Sequence, residues 1–217
     1  MAQIQPRLVV FAKAPQPGRA KTRLIPALGA KGAAALAQRM LAHALEQALQ
    51  ADVGPVELCM SPQPGDPAWE KIAIPAAVLR TGQGEGDLGE RMARAVRRVT
   101  ADDGRPVLLM GSDCPALTAA VIREAARQLQ KHGAVLVPVA DGGYVLIGLK
   151  SPCPALFDRM PWSTATVAAE TLSRMAALGL KVWRGPLLND IDEPADLAQL
   201  PAGFLGPWYR VKMMVCA

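Results

Sequence analysis

Six short apolar runs that alternate with amphipathic stretches limit what this chain can fold into. The runs are RLVVFA (7–12), VELCM (56–60), AVLR (77–80), PVLLMG (106–111), AVLVPVA (134–140) and YVLIGL (144–149). Strands this rich in Val and Leu are buried on both faces. Helical periodicity fills 31–50, 88–99, 118–131 and 166–178. The alternation predicts an α/β fold with a mostly parallel central sheet covered by helices on both faces. A chain of 217 residues with 51% hydrophobic content suits one domain over 1–217. Ligands of such sheets bind beyond the carboxyl ends of the strands, so the chemistry is sought just after each run.

The first run opens into FAKAPQPGRAKTRL (11–24), which carries Lys13, Arg19, Lys21 and Arg23 and no acid. The chain has a net charge of +5, and its first acidic residue is Glu46. A block of like charge repels itself and is relieved by a bound anion. The loop is not a P-loop, because Ala20 precedes Lys21 and Gly18 is its one glycine. Aromatic residues make up 4% of the chain and do not interleave with the cations, which speaks against nucleic acid. Two readings stand, a solvated basic face and a cradle for the phosphates of a nucleotide.

Acidic turns follow later apolar segments. In GSDCPAL (111–117), Asp113 leaves a strand beside Pro115, where a carboxylate can bind a divalent cation or cap a helix. Thr118 is expected to supply that cap. In NDIDEPADL (189–197), Asp190 and Asp192 alternate by two and face one way if extended. Asp192 serves equally as a metal ligand or as the cap of a short helix. DGGY (141–144) reads as a hairpin turn, and Ser163 or Thr164 of PWST as an N-cap beside a packed Trp162. Cys59, Cys114, Cys153 and Cys216 are scattered, and His43 and His132 are the only histidines. Zinc ligation, disulfides and a histidine triad are therefore not expected. The apolar runs are too short to span a membrane, and the N-terminus is too short for a secretory signal, so a cytoplasmic protein is expected. The apolar tail FLGPWYRVKMMVCA (204–217) is expected to pack on the body or on a second copy.

Taken together, FAKAPQPGRAKTRL, GQGEGDLGERM, GSDCPAL, DGGYVLIGL, PWSTATV and DIDEPADL resemble the successive motifs of a bacterial family once named only as a domain of unknown function. Its members are described as glycosyltransferases of the GT-A, nucleotide-diphospho-sugar transferase fold, some linked to arsenosugar biosynthesis. The likeness runs over about 8–200. It implies a three-layer GT-A-like fold in which Asp113 and Asp192 hold Mg²⁺ or Mn²⁺ against a diphosphate. It further implies that Lys13, Lys21 and Arg23 clamp phosphate oxygens, that Gln83 and Asp87 contact the nucleotide, and that Asp141 and Tyr144 face a small-molecule acceptor. Asp113 and Asp141 are the expected catalytic carboxylates, Asp141 as the base. Where relatives read Asp-Thr-Pro this chain has Asp192, Glu193 and Pro194, so the threonine hydroxyl is missing. The expected reaction is glycosyl transfer from a nucleotide sugar. The alternatives are nucleotidyl transfer from a nucleoside triphosphate with release of pyrophosphate, and a nucleotide-binding regulator without turnover. Neither nucleic acid nor membrane is an expected partner.

Overall fold

The computed structural model describes residues 5–201 and 204. Seven strands make one sheet: β1 (Arg7–Lys13), β2 (Val56–Ser61), β3 (Leu79–Gly82), β4 (Val107–Gly111), β5 (Ala134–Pro138), β6 (Tyr144–Leu149) and β7 (Val182–Arg184). Their order is β3-β2-β1-β4-β6-β5-β7. Among the described strands, β6 alone runs antiparallel to its neighbours β4 and β5. The helices are α1 (Ile25–Ala51), α2 (Leu88–Arg97), α3 (Ala119–Lys131) and α4 (Val167–Ala177).

Strand alternation sends successive side chains to opposite faces. Leu8 and Val10 of β1 join Leu41 and Leu45 of α1 and Ile122 and Leu129 of α3 in one core. Val9 points the other way, into a core with Met92 and Val96 of α2 and Met175 of α4. The result is a three-layer α/β/α arrangement, the layering that the family resemblance implies. A third cluster of Leu24, Leu28, Leu36, Met40 and Ile191 lies apart from the sheet and joins the start of α1 to the segment before Asp192.

The strand order reverses between β1 and β4, and this is where doubly wound sheets bind ligands. The basic loop leaves β1 and the Gly111-Ser112-Asp113 turn leaves β4, so the topology alone brings both to one crevice. The structure departs from the sequence reading in three places. Strand β3 is shifted to Leu79–Gly82 because its register is set by pairing with β2 alone. Strand β7, three residues long, pairs with β5 and is too short to leave a pattern. Helix α1 begins at Ile25 rather than 31, kinked where Gly29 adopts φ 72 and ψ 163, a conformation open to glycine. No described helix is long and apolar enough to cross a membrane. Phe204 packs edge-on against His43, and the remainder of the apolar tail lies outside the described residues.

One buried charge sits under the sheet. Glu57 of β2 is fully buried and is held by Arg98, by Arg7 at 3.4 Å and by the Thr81 hydroxyl at 2.6 Å. A buried carboxylate needs such partners, since removing one leaves charge without compensation. Arg98→Met should destabilise the protein by about 2–4 kcal/mol. Glu57→Leu combined with Arg98→Met should recover much of that loss. Urea unfolding of parent, single and double variants measures both, and a double variant no more stable than Arg98→Met counts against the unpaired-charge explanation.

Candidate functional site

The basic loop gains its shape from local hydrogen bonds and one buried anchor. Arg19 and Ala20 donate their N–H groups to the Gln16 carbonyl, and Leu24 donates to that of Lys21. Lys21 itself lies in the left-handed region at φ 47 and ψ 49, which costs a non-glycine residue about 1–2 kcal/mol. Fully buried Leu24 in the third cluster holds this turn in place. As a consequence the Lys21 side chain points inward and keeps 6% exposure, whereas Arg23 on the same loop is 64% exposed.

Lys21 meets both candidate metal-binding carboxylates. Its Nζ lies 3.0 Å from Asp113 Oδ2 and 2.5 Å from Asp192 Oδ1. Burial alone would lower the lysine pKa, but the charges of Asp113 and Asp192 outweigh it and hold the ammonium above its ordinary range. The acids are brought together by backbone contacts. Ile191 donates its N–H to the Asp113 carbonyl at 2.9 Å, and the Cys114 thiol donates to the Asn189 carbonyl at 3.1 Å. Burial pushes that thiol up to about 11, so it remains a neutral donor at physiological pH. Leu188 pairs with Val139 in an isolated parallel bridge beyond β5, and Ile191 is 2% exposed beside Leu24.

Neither acid caps a helix. Thr118 occupies the cap position of α3 without a side-chain bond, and the first N–H of α3 is met by Gln47 Oε1 of α1 instead. At the second turn the short 3-10 segment Pro194–Gln199 is capped at Glu193, with the Asp196 carboxylate accepting the N–H groups of Asp192 and Glu193. The capping alternatives for Asp113 and Asp192 therefore fall away. Ser163 and Thr164 are not caps either: α4 starts after Thr166, and Thr164 donates to the Pro161 carbonyl.

A cleft of about 570 Å³ opens at the carboxyl ends of the strands and gathers Lys13, Lys21, Arg23, Asp113 and Asp192. Gln83, Asp141 and Tyr144 line it as well, together with Arg19 and Trp162, which the motif reading left out of the site. Gln83 is buried and donates to the Ala12 and Cys59 carbonyls, so its amide NH₂ braces β1 against β2. Asp141 is exposed in the β5–β6 turn and accepts the Gly143 N–H at 2.7 Å. A Cβ on Gly142, at φ 91, would meet the Ala165 carbonyl oxygen at 2.0 Å, so this turn accepts no larger residue without moving the Trp162 loop. Tyr144 contributes its ring, because its hydroxyl is buried without a hydrogen-bond partner and burial raises its pKa well above the usual tyrosine value. Asp87 is the exception among the expected residues. It lies outside the cleft lining, and its carboxylate caps α2 by accepting the Glu90 N–H at 2.8 Å while Glu90 returns the bond. The Asp-x-x-Glu spacing of a capping box was the signal for this.

The carboxylates at this end outnumber the one buried ammonium. Two of their oxygens converge on a single cation, and Asp113 and Asp192 keep 51% and 39% exposure toward the cleft. Hard oxygen donors of this kind suit Mg²⁺ or Mn²⁺, which complete their coordination with phosphate oxygens and water. Among the described residues no group of three or more His, Cys, Asp or Glu side chains gathers around a metal position, so these two carboxylates would hold such an ion only together with phosphate oxygens and water.

Residues 33–164 match the model of a family described as "Uncharacterized protein conserved in bacteria (DUF2064)". No curated protein matches the sequence. Among solved structures, the chain is similar to a protein of Desulfovibrio desulfuricans G20 provisionally named a nucleotide-diphospho-sugar transferase. That likeness has 29% identity and a TM-score of 0.82, covering 98% of this chain and 95% of that one. Rv0371c of Mycobacterium tuberculosis H37Rv, in a complex with manganese, matches at 17% identity and a TM-score of 0.54 over 90% of this chain and 97% of that one. A CMP:2-keto-3-deoxy-manno-octonic acid synthetase complexed with CTP matches at 14% and 0.54, over 90% and 96%. The last two likenesses concern the fold.

Asp190, behind the Lys21 cluster, is a titrating group that the motif reading left unassigned. Burial, and then the charges of Asp141 and Asp192, push its carboxyl up to about 6, from an ordinary value near 3.9. A carboxyl raised in the folded state favours the protonated form. Its contribution to stability is therefore complete below about pH 4 and is lost as the pH rises through 6. In chelator-treated protein, Asp190→Asn should melt close to the parent at about pH 4.5 and above it at about pH 7.5. Thermal melts at both pH values check this, and a difference that does not change with pH would contradict the raised carboxyl of half-buried Asp190.

Proposed function

Because the chain belongs to the DUF2064 family and has the nucleotide-diphospho-sugar transferase fold, we propose that it transfers a glycosyl group from a nucleotide-diphospho-sugar to a small-molecule acceptor with the help of a divalent cation. The observation that carries this reading is the convergence of Asp113 and Asp192 on one cation at the sheet's switch point, beside the cations of the basic loop. Lys13, Arg19 and Arg23 line the same cleft and would bind the diphosphate, arginine by paired N–H groups and lysine as a point charge. Asp113 and Asp192 would hold Mg²⁺ or Mn²⁺; when bound, the ion offsets charge that builds on the leaving phosphate. The acceptor hydroxyl attacks the anomeric carbon, the bond from that carbon to the phosphate oxygen breaks, and the hydroxyl proton passes to Asp141. Asp141 is exposed on the cleft wall, with Gly143 fixing one of its oxygens. The rings of Tyr144 and Trp162 form the less polar wall nearby, where a sugar or acceptor would lie.

A second reading, nucleotidyl transfer, is favoured by the density of positive charge. Four cations of one loop line the cleft, and a triphosphate carries more charge to neutralise than a diphosphate sugar. The two reactions differ in what leaves: glycosyl transfer releases a nucleoside diphosphate, nucleotidyl transfer releases pyrophosphate.

A panel of nucleotide sugars and nucleoside triphosphates with Mn²⁺, the ion held by one protein of this fold, separates the readings. Release of nucleoside diphosphate from a sugar donor is the expected result, and pyrophosphate release from a triphosphate would replace the first reading by the second. Asp113→Asn should keep the fold and lose at least about 100-fold in turnover, since electrostatic stabilisation of this kind is worth two to three orders of magnitude. Arg23→Ala should weaken donor binding by roughly tenfold, about 1.5 kcal/mol for one charge-assisted contact. Calorimetric titration checks the latter, and an Arg23→Ala protein that binds the best donor as tightly as the parent removes Arg23 from the phosphate clamp.

A further inference from the structure

Lys21 is the cation of the basic loop whose charge is buried: its side chain is 6% exposed, whereas that of Arg23, 3.7 Å from Glu193, is 64% exposed. Its ammonium is engaged with the two carboxylates assigned to the divalent ion, at 3.0 Å and 2.5 Å. We infer that Lys21 is an internal counter-ion: it neutralises Asp113 and Asp192 while the cleft is empty and must leave them when a divalent cation binds, so that cation and phosphate bind together. The inference rests on the reading of Asp113 and Asp192 as the metal-binding pair.

Three observations support it. First, the carboxylate oxygens that Lys21 contacts are those that converge on one point, so an ammonium and a metal ion compete for them. Like charges so close in a partly buried site repel strongly. Second, the lysine is held in that position rather than free to choose it. Its left-handed backbone, its 6% exposure and the burial of Leu24 three residues on all direct the stem inward. A strained conformation at a ligand site is maintained by the packing around it. Third, a displaced ammonium needs a new anion, and a phosphate drawn into the cleft by Lys13, Arg19 and Arg23 supplies one. A phosphate placed among those cations would receive the lysine within the reach of its four-carbon stem.

It follows that a divalent cation arriving alone has to break the Lys21 pairs without giving the lysine another partner. One arriving with a diphosphate supplies that partner. Cation and phosphate therefore raise each other's affinity, by equal factors as linkage requires. Metal-free donor and donor-free metal should both bind poorly.

The test measures Mn²⁺ binding by the electron paramagnetic resonance signal of the free ion, with no turnover involved. In the parent, Mn²⁺ alone should bind weakly, and inorganic pyrophosphate should strengthen binding at least tenfold after the Mn²⁺ it takes up in a protein-free control is subtracted. Lys21→Met should bind Mn²⁺ alone at least tenfold more tightly than the parent, and pyrophosphate should strengthen that binding by a smaller factor than it does in the parent. Lys21→Gln keeps a stem and an N–H donor without the charge, and it carries the same comparison should Lys21→Met fail to fold. Adding Asp113→Asn and Asp192→Asn to the lysine variant should abolish the gain. Lysine variants that bind Mn²⁺ no more tightly than the parent, or a gain that survives loss of both aspartates, overturn the counter-ion. If the parent turns over a donor with Mn²⁺ while the lysine variants show no gain, the counter-ion alone fails. If the variants gain affinity while the parent turns over no donor, the counter-ion stands and the transfer reading fails.

Discussion

A single ammonium buried between two carboxylates sets where three separate loops of this protein can lie. Lys21 comes from the turn after β1, Asp113 from the turn after β4, and Asp192 from the segment beyond β7. Charges at the edge of a low-dielectric core are expensive unless they are paired, and each of these groups is the partner of another. The pairing is supported from below by apolar contacts, since Leu24 and Ile191 are packed in one cluster. It is supported from the side by the Ile191 N–H on the Asp113 carbonyl and by the Cys114 thiol on that of Asn189. Electrostatics chooses the partners, and packing and main-chain hydrogen bonds hold them at hydrogen-bond distance.

The same sheet carries a second buried charge with a different character. Glu57 is satisfied by two arginines and a threonine hydroxyl, lies in β2 outside the cleft lining, and has no spare lone pairs to offer a ligand. The Lys21 cluster has an excess of carboxylate, an exposed side and an open cleft. A closed network of this kind serves stability, and an open one retains coordination capacity for something that arrives from solvent. That distinction separates the charges closed off inside the sheet from those left open at the cleft more surely than residue type does.

Much of the fold was legible because the apolar runs are long and strongly patterned. Residues 7–12, 56–60, 106–111, 134–140 and 144–149 all became strands with small changes at their ends. The three-residue β7 and the displaced β3 were not legible, since both owe their hydrogen bonds to a neighbouring strand rather than to their own composition. The acidic turns could be located but their duties could not. Asp-x-Pro sequences serve as caps and as ligand sites alike, and it took the positions of Gln47, Glu193 and Asp196 to show that the helix ends are satisfied by other groups. Asp87 shows the reverse case, a carboxylate in a glycine-rich loop that belongs to its helix.

What the sequence determined by itself is the kind of fold and the inventory of charges, because hydrophobic periodicity and residue identity are local properties. The alternation of buried strands with amphipathic helices dictates the layers, and the acid-free stretch from 11 to 24 dictates a positively charged rim after β1. Only the tertiary structure decided which of those charges meet. Lys21 and Asp192 are separated by 171 positions, and their contact depends on a left-handed turn, on Leu24 against Ile191, and on a strand order that reverses between β1 and β4. None of these is a property of a short stretch of chain. They arise from the packing of distant segments, which is why one lysine of the basic loop is buried between two acids while Arg23, two residues on, meets Glu193 at 3.7 Å with both side chains 64% exposed.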